Sequence, residues 1–199
     1  MYESTAAEPD GVVVEAVLSG QKERFALLVR RYQGPLLRVA QSRLGRREWA
    51  EDAVQETFLC AYKWLSGYDS RYSFRTWLWT ILLNQCRRQG KRRARKPRVL
   101  AWSQQPVDDR GEPSSLSTTP CRQPGPAAQA MAIERSRQVE ALLASLPLAQ
   151  ADALRLRFYG GLQFDEIAAA MGCSVSGAKN RVRCGLLKIG QLFVSGETP

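Results

Sequence analysis

The stretch from Ser73 to Asn84, SFRTWLWTILLN, runs directly into a cationic cluster of Arg87, Arg88, Lys91, Arg92, Arg93, Arg95, Lys96 and Arg98. Aromatic side chains can stack on exposed bases, and flexible cations neutralise phosphates, so rings followed by cations suit single-stranded or opening DNA. Tyr72, Phe74, Trp77 and Trp79 supply the rings. An apolar run of this kind is also what a core helix needs.

Other chemistries are poorly provided for. The chain contains no histidine, which removes the commonest general base and every Ser-His-Asp arrangement. No phosphate-binding glycine loop or nucleophile elbow occurs. The five cysteines, Cys60, Cys86, Cys121, Cys173 and Cys184, form no CxxC and have no histidine to complete a zinc site. The expectation is a protein with no catalytic residues, no metal, no cofactor and no small-molecule substrate. Its 199 residues carry a formal net charge of +10, which points to a polyanionic partner, although charge alone would suit a basic membrane-surface protein equally well. No segment reaches the roughly 20 apolar residues of a membrane span, and the N-terminus lacks a secretion signal, so direct membrane insertion is not expected and a cytoplasmic location is.

The elements that must position these residues read as helices throughout. Phe25, Leu28, Val29 and Tyr32, then Leu36, Leu37, Ala40 and Leu44, recur at helical spacing, with Gly34-Pro35 marking a break between them. A third helix, about Trp49 to Leu65, puts Ala50, Ala53, Val54 and Phe58 on one face and Asp52, Gln55, Glu56 and Leu59 on another. The turn formers Ser66 to Ser70 lead to the aromatic helix, which starts near Tyr72 or Ser73. From about 94 to 128 the periodicity disappears among Pro97, Pro106, Pro113, Pro120, Pro124 and Pro126, a composition that cannot bury a core and reads as a flexible linker. The organisation expected is all-α: a tail over 1–11, a first domain over 12–93, a linker over 94–130, a second small helical domain over 131–194, and a tail over 195–199.

In the second domain, a helix ending at Gly160-Gly161 is followed by one from about Gln163 to Met171, the turn Gly172-Cys173-Ser174, and a last helix from Val175 to about Leu192. Helix, short glycine turn, then a helix with a polar N-terminal half is the helix-turn-helix pattern. Ala178, Val182, Leu186 and Ile189 can face the core, Ser174 is the natural N-cap, and Ser176, Lys179, Asn180 and Arg183 can reach phosphates or base edges. An ordinary three-helix unit with a charged outer face would show the same spacing.

Taken together, Ala50-Glu51-Asp52-Ala53-Val54-Gln55-Glu56-Thr57-Phe58, then Phe74-Arg75-Thr76-Trp77-Leu78 with Ile81 and Asn84, the basic helix end, the Pro-rich linker and Gly161-Leu162-Gln163-Phe164-Asp165-Glu166-Ile167-Ala168 resemble the small extracytoplasmic-function (group IV) sigma factors of bacterial RNA polymerase. That resemblance covers roughly residues 20 to 92 and 134 to 190. It implies a non-catalytic initiation subunit with a region 2-like bundle and a region 4-like helix-turn-helix, partnered by core RNA polymerase, promoter DNA and an anti-sigma factor. It implies docking of core polymerase on Asp52, Gln55, Glu56 and Leu59, and capture of the −10 element by the aromatic helix and its preceding loop. By helical spacing Phe74, Trp77, Leu78 and Ile81 share a core face, which leaves Tyr68, Asp69, Ser70, Arg75, Trp79 and Asn84 for −10 DNA, with Arg87, Arg88, Lys91 and Arg92 on its phosphates. The last helix would read the −35 duplex with Ser176, Lys179, Asn180, Arg181 and Arg183. Here the chain departs from the family pattern, carrying Gly177 and Ala178 in place of threonine and valine, and Cys184 in place of a common arginine.

Two alternatives remain open at this level. A stand-alone helix-turn-helix regulator would account for the last domain but leave the acidic-amide helix and the aromatic segment without a purpose. A structural or RNA-packaging protein would use the basic run without regard to sequence.

Overall fold

The computed structural model describes residues 8–95 and 126–194, which form eight α-helices and no strand. The first unit comprises α1 (Asp10–Leu18), α2 (Phe25–Leu44), α3 (Arg47–Lys63) and α4 (Phe74–Arg95), with single 3₁₀ turns at Lys22–Arg24 and Leu65–Gly67. The second comprises α5 (Pro126–Ala144), α6 (Leu148–Phe158), α7 (Phe164–Met171) and α8 (Val175–Val194). The chain is all-α, as its periodicity requires. None of the described helices is long and apolar enough to cross a membrane.

Several boundaries differ from the sequence reading. Residues 8–11, assigned to a tail, are tied down: Glu8 pairs with Arg24, and Asp10, in the first turn of α1, binds both Arg31 and the Tyr32 hydroxyl. Burial and then the Asp10 hydrogen bond push the Tyr32 phenol well above its usual range. Residues 126–130, assigned to the linker, open α5. The remaining linker residues, 96–125, lie outside the described residues, as do 1–7 and 195–199.

Gly34-Pro35 does not break the chain; Pro35 lies inside a continuous α2. An interior proline costs roughly 3 kcal/mol. Against this stand Leu28, Tyr32, Leu36, Val39 and Ala40, all buried on one side of the helix, and each large apolar side chain buried is worth about 1.5–3 kcal/mol. Packing therefore carries the helix through the proline. What ends it is Gly45, whose φ of 74° is the left-handed cap that glycine adopts without strain.

The core runs through α4. Phe74, Leu78, Trp79, Ile81, Leu82, Leu83 and Cys86 are all buried, and over the N-terminal half of this helix only the line of Trp77, Thr80 and Asn84, with Arg75, stays partly or fully open. A helix with apolar residues on most of its faces must be covered on most of them. α2 and α3 cover one side of α4, and α7 of the second unit covers another.

Candidate nucleic-acid interface

Beyond Leu83 the character of α4 changes: Asn84, Arg87, Arg88, Lys91 and Arg92 are exposed, and Arg87 donates to Asn84 Oδ1 at 2.9 Å. Cations spaced three and four residues apart stay on a narrow range of faces. The last turns of α4 are thus a basic rod continuing out of a buried stem. Arg88 and Arg92 line a polar cleft of about 450 Å³ whose opposite wall is Asp52, Gln55 and Glu56 of α3.

The loop before α4 is built by its own residues. Arg71 grips the Asp69 carboxylate with Nε at 2.9 Å and Nη2 at 2.6 Å, which holds that carboxyl below its usual range. Tyr68 is half-buried, its hydroxyl bonded to the Tyr72 carbonyl and its ring packed on Phe74 and Trp77 at centroid distances of 5.8 and 5.2 Å. Ser70 and Tyr72 are exposed, Tyr72 at 63%. Tyr72 therefore offers a freer ring than Tyr68 for an unstacked base. Arg71 is missed by the sequence reading, although its place two residues after Asp69, in a loop too short to separate them, was the available signal.

Two residues assigned to −10 DNA are found elsewhere. Trp79 is wholly buried, its ring against Gly160, where a Cβ would come within 3.2 Å of it. Its indole nitrogen has no hydrogen-bond partner among the described residues. Arg75 is partly buried and donates from Nη2 to the carbonyls of Gly160 and Gly161, both at 2.8 Å, with Glu166 at 3.6 Å. The face that helical spacing leaves outward on the first unit is taken by the α6–α7 turn. The α4 sequence does not identify the source of that cover, which comes from residues 85 positions away.

On α3, Asp52, Gln55, Glu56 and Leu59 form one exposed face, Leu59 at 55%. Beside it lies a largely apolar groove of about 570 Å³ between α2 and α3, lined by Phe25, Val29, Leu37, Val54, Phe58 and Tyr62. An acidic-amide ridge along an apolar groove suits a protein helix better than it suits DNA.

The last three helices form the turn that the sequence indicates. α7 opens on a capping box in which Gln163 and Glu166 exchange hydrogen bonds, and closes at Gly172 with φ 62°. Ser174 caps α8, its Oγ accepting from the Gly177 N–H at 3.1 Å. Ser176, Lys179, Asn180 and Arg183 are exposed along one side of α8, while Ala178 and Val182 are buried. Lys179 is poised 5.9 Å above the Phe164 ring, with Arg157 at 5.0 Å from the same ring. Arg181 lies half-buried, reaching back to Met171. Leu186, expected in the core, is 47% exposed and joins Val139 and Phe158 around an apolar groove of about 220 Å³. Among the described residues no cluster of histidine, cysteine or carboxylate side chains could hold a metal ion.

Two family models and several known proteins match this chain. The Sigma-70 region 2 family model matches residues 28–96, and the Sigma-70, region 4 model matches residues 136–189. The ECF RNA polymerase sigma-E factor of Escherichia coli K12 is 31% identical over 177 residues, spanning 87% of this chain and 88% of that protein. In fold, the chain is similar to CnrH as solved in complex with the cytosolic domain of CnrY, with TM-score 0.69 and 23% identity over 94% of this chain and 99% of CnrH. It is also similar to RpoE from Bartonella quintana, solved with the anti-sigma factor NepR, with TM-score 0.59 and 22% identity over 87% of this chain and 96% of that one.

Proposed function

This chain belongs to the extracytoplasmic-function sigma factors of RNA polymerase, and from that premise we propose how its faces divide the work of initiation. The protein directs core polymerase to promoters by binding −10 and −35 DNA. The α3 ridge of Asp52, Gln55, Glu56 and Leu59, with the groove beside it, docks on core polymerase. The rod of Arg87, Arg88, Lys91 and Arg92 holds phosphates, while the Tyr68–Tyr72 loop and Asn84 receive a base drawn out of the stack. Unstacking costs a few kcal/mol, which aromatic stacking at about 1–3 kcal/mol per base can offset. Ser176, Lys179, Asn180 and Arg183 enter the −35 major groove, with Arg181 buttressing the turn. The factor contributes no bond-making chemistry, which stays with the polymerase, and it works in the cytoplasm. An anti-sigma factor holds it inactive, a reading supported by the complexes in which its fold neighbours were solved.

The observation that carries this division is the exposure of two separate basic faces, one on α4 and one on α8, in a chain whose acidic-amide face lies on a third helix. A stand-alone operator binder needs only the second of these. Run-off transcription with purified core polymerase on a pool of genomic fragments tests it. Addition of the protein should produce discrete new transcripts sharing two spaced upstream elements. No new transcript, together with duplex binding by the protein alone, would replace this reading with the stand-alone regulator.

A further inference from the structure

Phe164 opens α7, and side chains from the helices before and after it converge on its half-buried ring. From α6, the Arg157 guanidinium lies 5.0 Å from the ring centroid, fixed there by Nη1 hydrogen bonds to the Leu162 carbonyl at 2.8 Å and to Gln163 Oε1 at 3.0 Å. Gln163 is also the capping-box residue of α7, so Arg157 is tied to the turn that starts the helix. From α8, the Lys179 ammonium stands 5.9 Å from the same centroid. Apart from this ring, Lys179 has no hydrogen bond or ion pair among the described residues.

The two cations are held differently. Arg157 is anchored by two hydrogen bonds from a charged donor, the stronger kind, and the ring adds to them. Lys179 has the ring alone, close to the roughly 6 Å limit of cation–ring attraction. The like charge on Arg157 repels it, so the lysine is kept from folding further back across the turn. Attraction by the ring and repulsion by a fixed guanidinium together confine an ammonium that is otherwise a strongly hydrated point charge on a flexible stem. The hold is weak, so it orients the side chain without preventing its departure to a better partner.

Position decides what that partner is. Lys179 stands early in α8, which begins at Val175, and the N-terminal residues of a recognition helix are those that contact base edges. An unrestrained lysine in a groove walled by phosphates neutralises the nearest one and carries no sequence information. One that is held back meets the base edges, where its best target is the paired O6 and N7 acceptors of guanine.

We propose that Phe164 is a positioning residue that determines −35 specificity: its ring, with Arg157 fixed beside it, presents Lys179 to a guanine edge and keeps it off the phosphates. What Lys179 meets rests on the sigma-factor reading; the contact that holds it does not. The phenylalanine acts on DNA only through the lysine.

Two measurements on the full-length chain test this. Phe164→Leu keeps an apolar side chain and removes the ring, Phe164→Tyr keeps the ring, and Lys179→Met keeps the stem and removes the charge. Circular dichroism checks helix content; if Phe164→Leu loses helix, Phe164→Met is read in its place. Nuclear magnetic resonance of the free protein reads the Lys179 ε-methylene protons, which the ring current shifts upfield in wild type. They should move downfield in Phe164→Leu and stay in place in Phe164→Tyr; equal positions in wild type and Phe164→Leu would overturn the hold. Holoenzyme assembled from core polymerase and each variant is then offered one promoter recovered by run-off transcription, with every −35 base pair replaced in turn, and competition binding ranks the templates. Lys179→Met should flatten discrimination at one guanine. Phe164→Leu should weaken it at that same guanine by about two- to fivefold, the range that one exposed cation–ring contact carries. Phe164→Tyr should match wild type, and adding Phe164→Leu to Lys179→Met should change nothing further. A uniform loss over all templates, guanine discrimination that survives Lys179→Met, flattening at a different base pair, a tyrosine variant that behaves as leucine, or a further loss in the double variant would each overturn the proposal. The resonance comparison uses neither polymerase nor promoter, so failure of the contact and failure of the sigma-factor reading are told apart.

Discussion

Cys86 lies on α4, 1% exposed, near the buried ion pair of Arg43 and Asp152, and burial pushes its thiol from an ordinary 9.0 up to about 11, with Arg43 pulling down and Asp152 pushing up. At neutral pH it is therefore a protonated, unreactive apolar group. The folded thiol holds its proton more tightly than the unfolded one, so its contribution to stability is intact below about pH 9 and is lost as pH rises toward 11. A rise of that size is worth on the order of 2–3 kcal/mol. Urea unfolding between pH 8 and 11 should show this decline in wild type and a flatter one in Cys86→Ala; parallel declines would dissociate the thiol from it. Asp52 and Glu56 are the opposite kind of residue, exposed and marginal to the fold. Their joint replacement by alanine should leave the unfolding midpoint within about 0.5 kcal/mol of wild type, as surface changes usually do. Affinity for core polymerase should fall by roughly tenfold or more, because charges that are cheap at the surface carry orientation and partner choice across an interface. Undiminished co-purification with core polymerase would remove that face from the docking site.

At the scale of elements, helix-turn-helix punctuation was fully legible: Gln163 with Glu166, Gly172 and Ser174 are local signals, and the structure uses each one where it stands. The Gly177 N–H at the start of α8 is the group that Ser174 caps. Non-local effects were not legible. Pro35 reads as a stop only if the packing that overrides it is unknown, and Trp79 reads as outward only if α4 belongs to one unit. The apolar run Trp77 to Leu83, interrupted only by Thr80 and without helical period, was the hint that α4 is covered from more than one side. For α8 the exposed set gives a sharp expectation. Replacing Lys179 and Arg183 with alanine should reduce −35 protection, lower the slope of log affinity against log salt by up to about 2 if both touch phosphate, and leave core binding unchanged. An unaltered footprint would move the reading face to another side of the helix. Ser174→Ala should cost about 1 kcal/mol of stability through the lost cap, a change readable as a lower unfolding midpoint.

For the molecule as a whole, exposed cations stand on two elements, Arg87, Arg88, Lys91 and Arg92 on α4 and Lys179 and Arg183 on α8, in a chain of net charge +10. Cations held this way bind phosphates of any sequence by releasing counterions, and that binding weakens steeply with salt. The protein alone should therefore bind a promoter duplex and a scrambled duplex alike, and lose roughly 10³-fold or more of that affinity between about 50 and about 200 mM salt if all of these cations reach phosphate. Core polymerase adds the docked geometry in which base contacts count, so the assembled complex should prefer the promoter by about 10³-fold or more. Fluorescence anisotropy of the two labelled duplexes, with and without core polymerase, reads both. A promoter preference of that size in the protein alone would favour the stand-alone regulator.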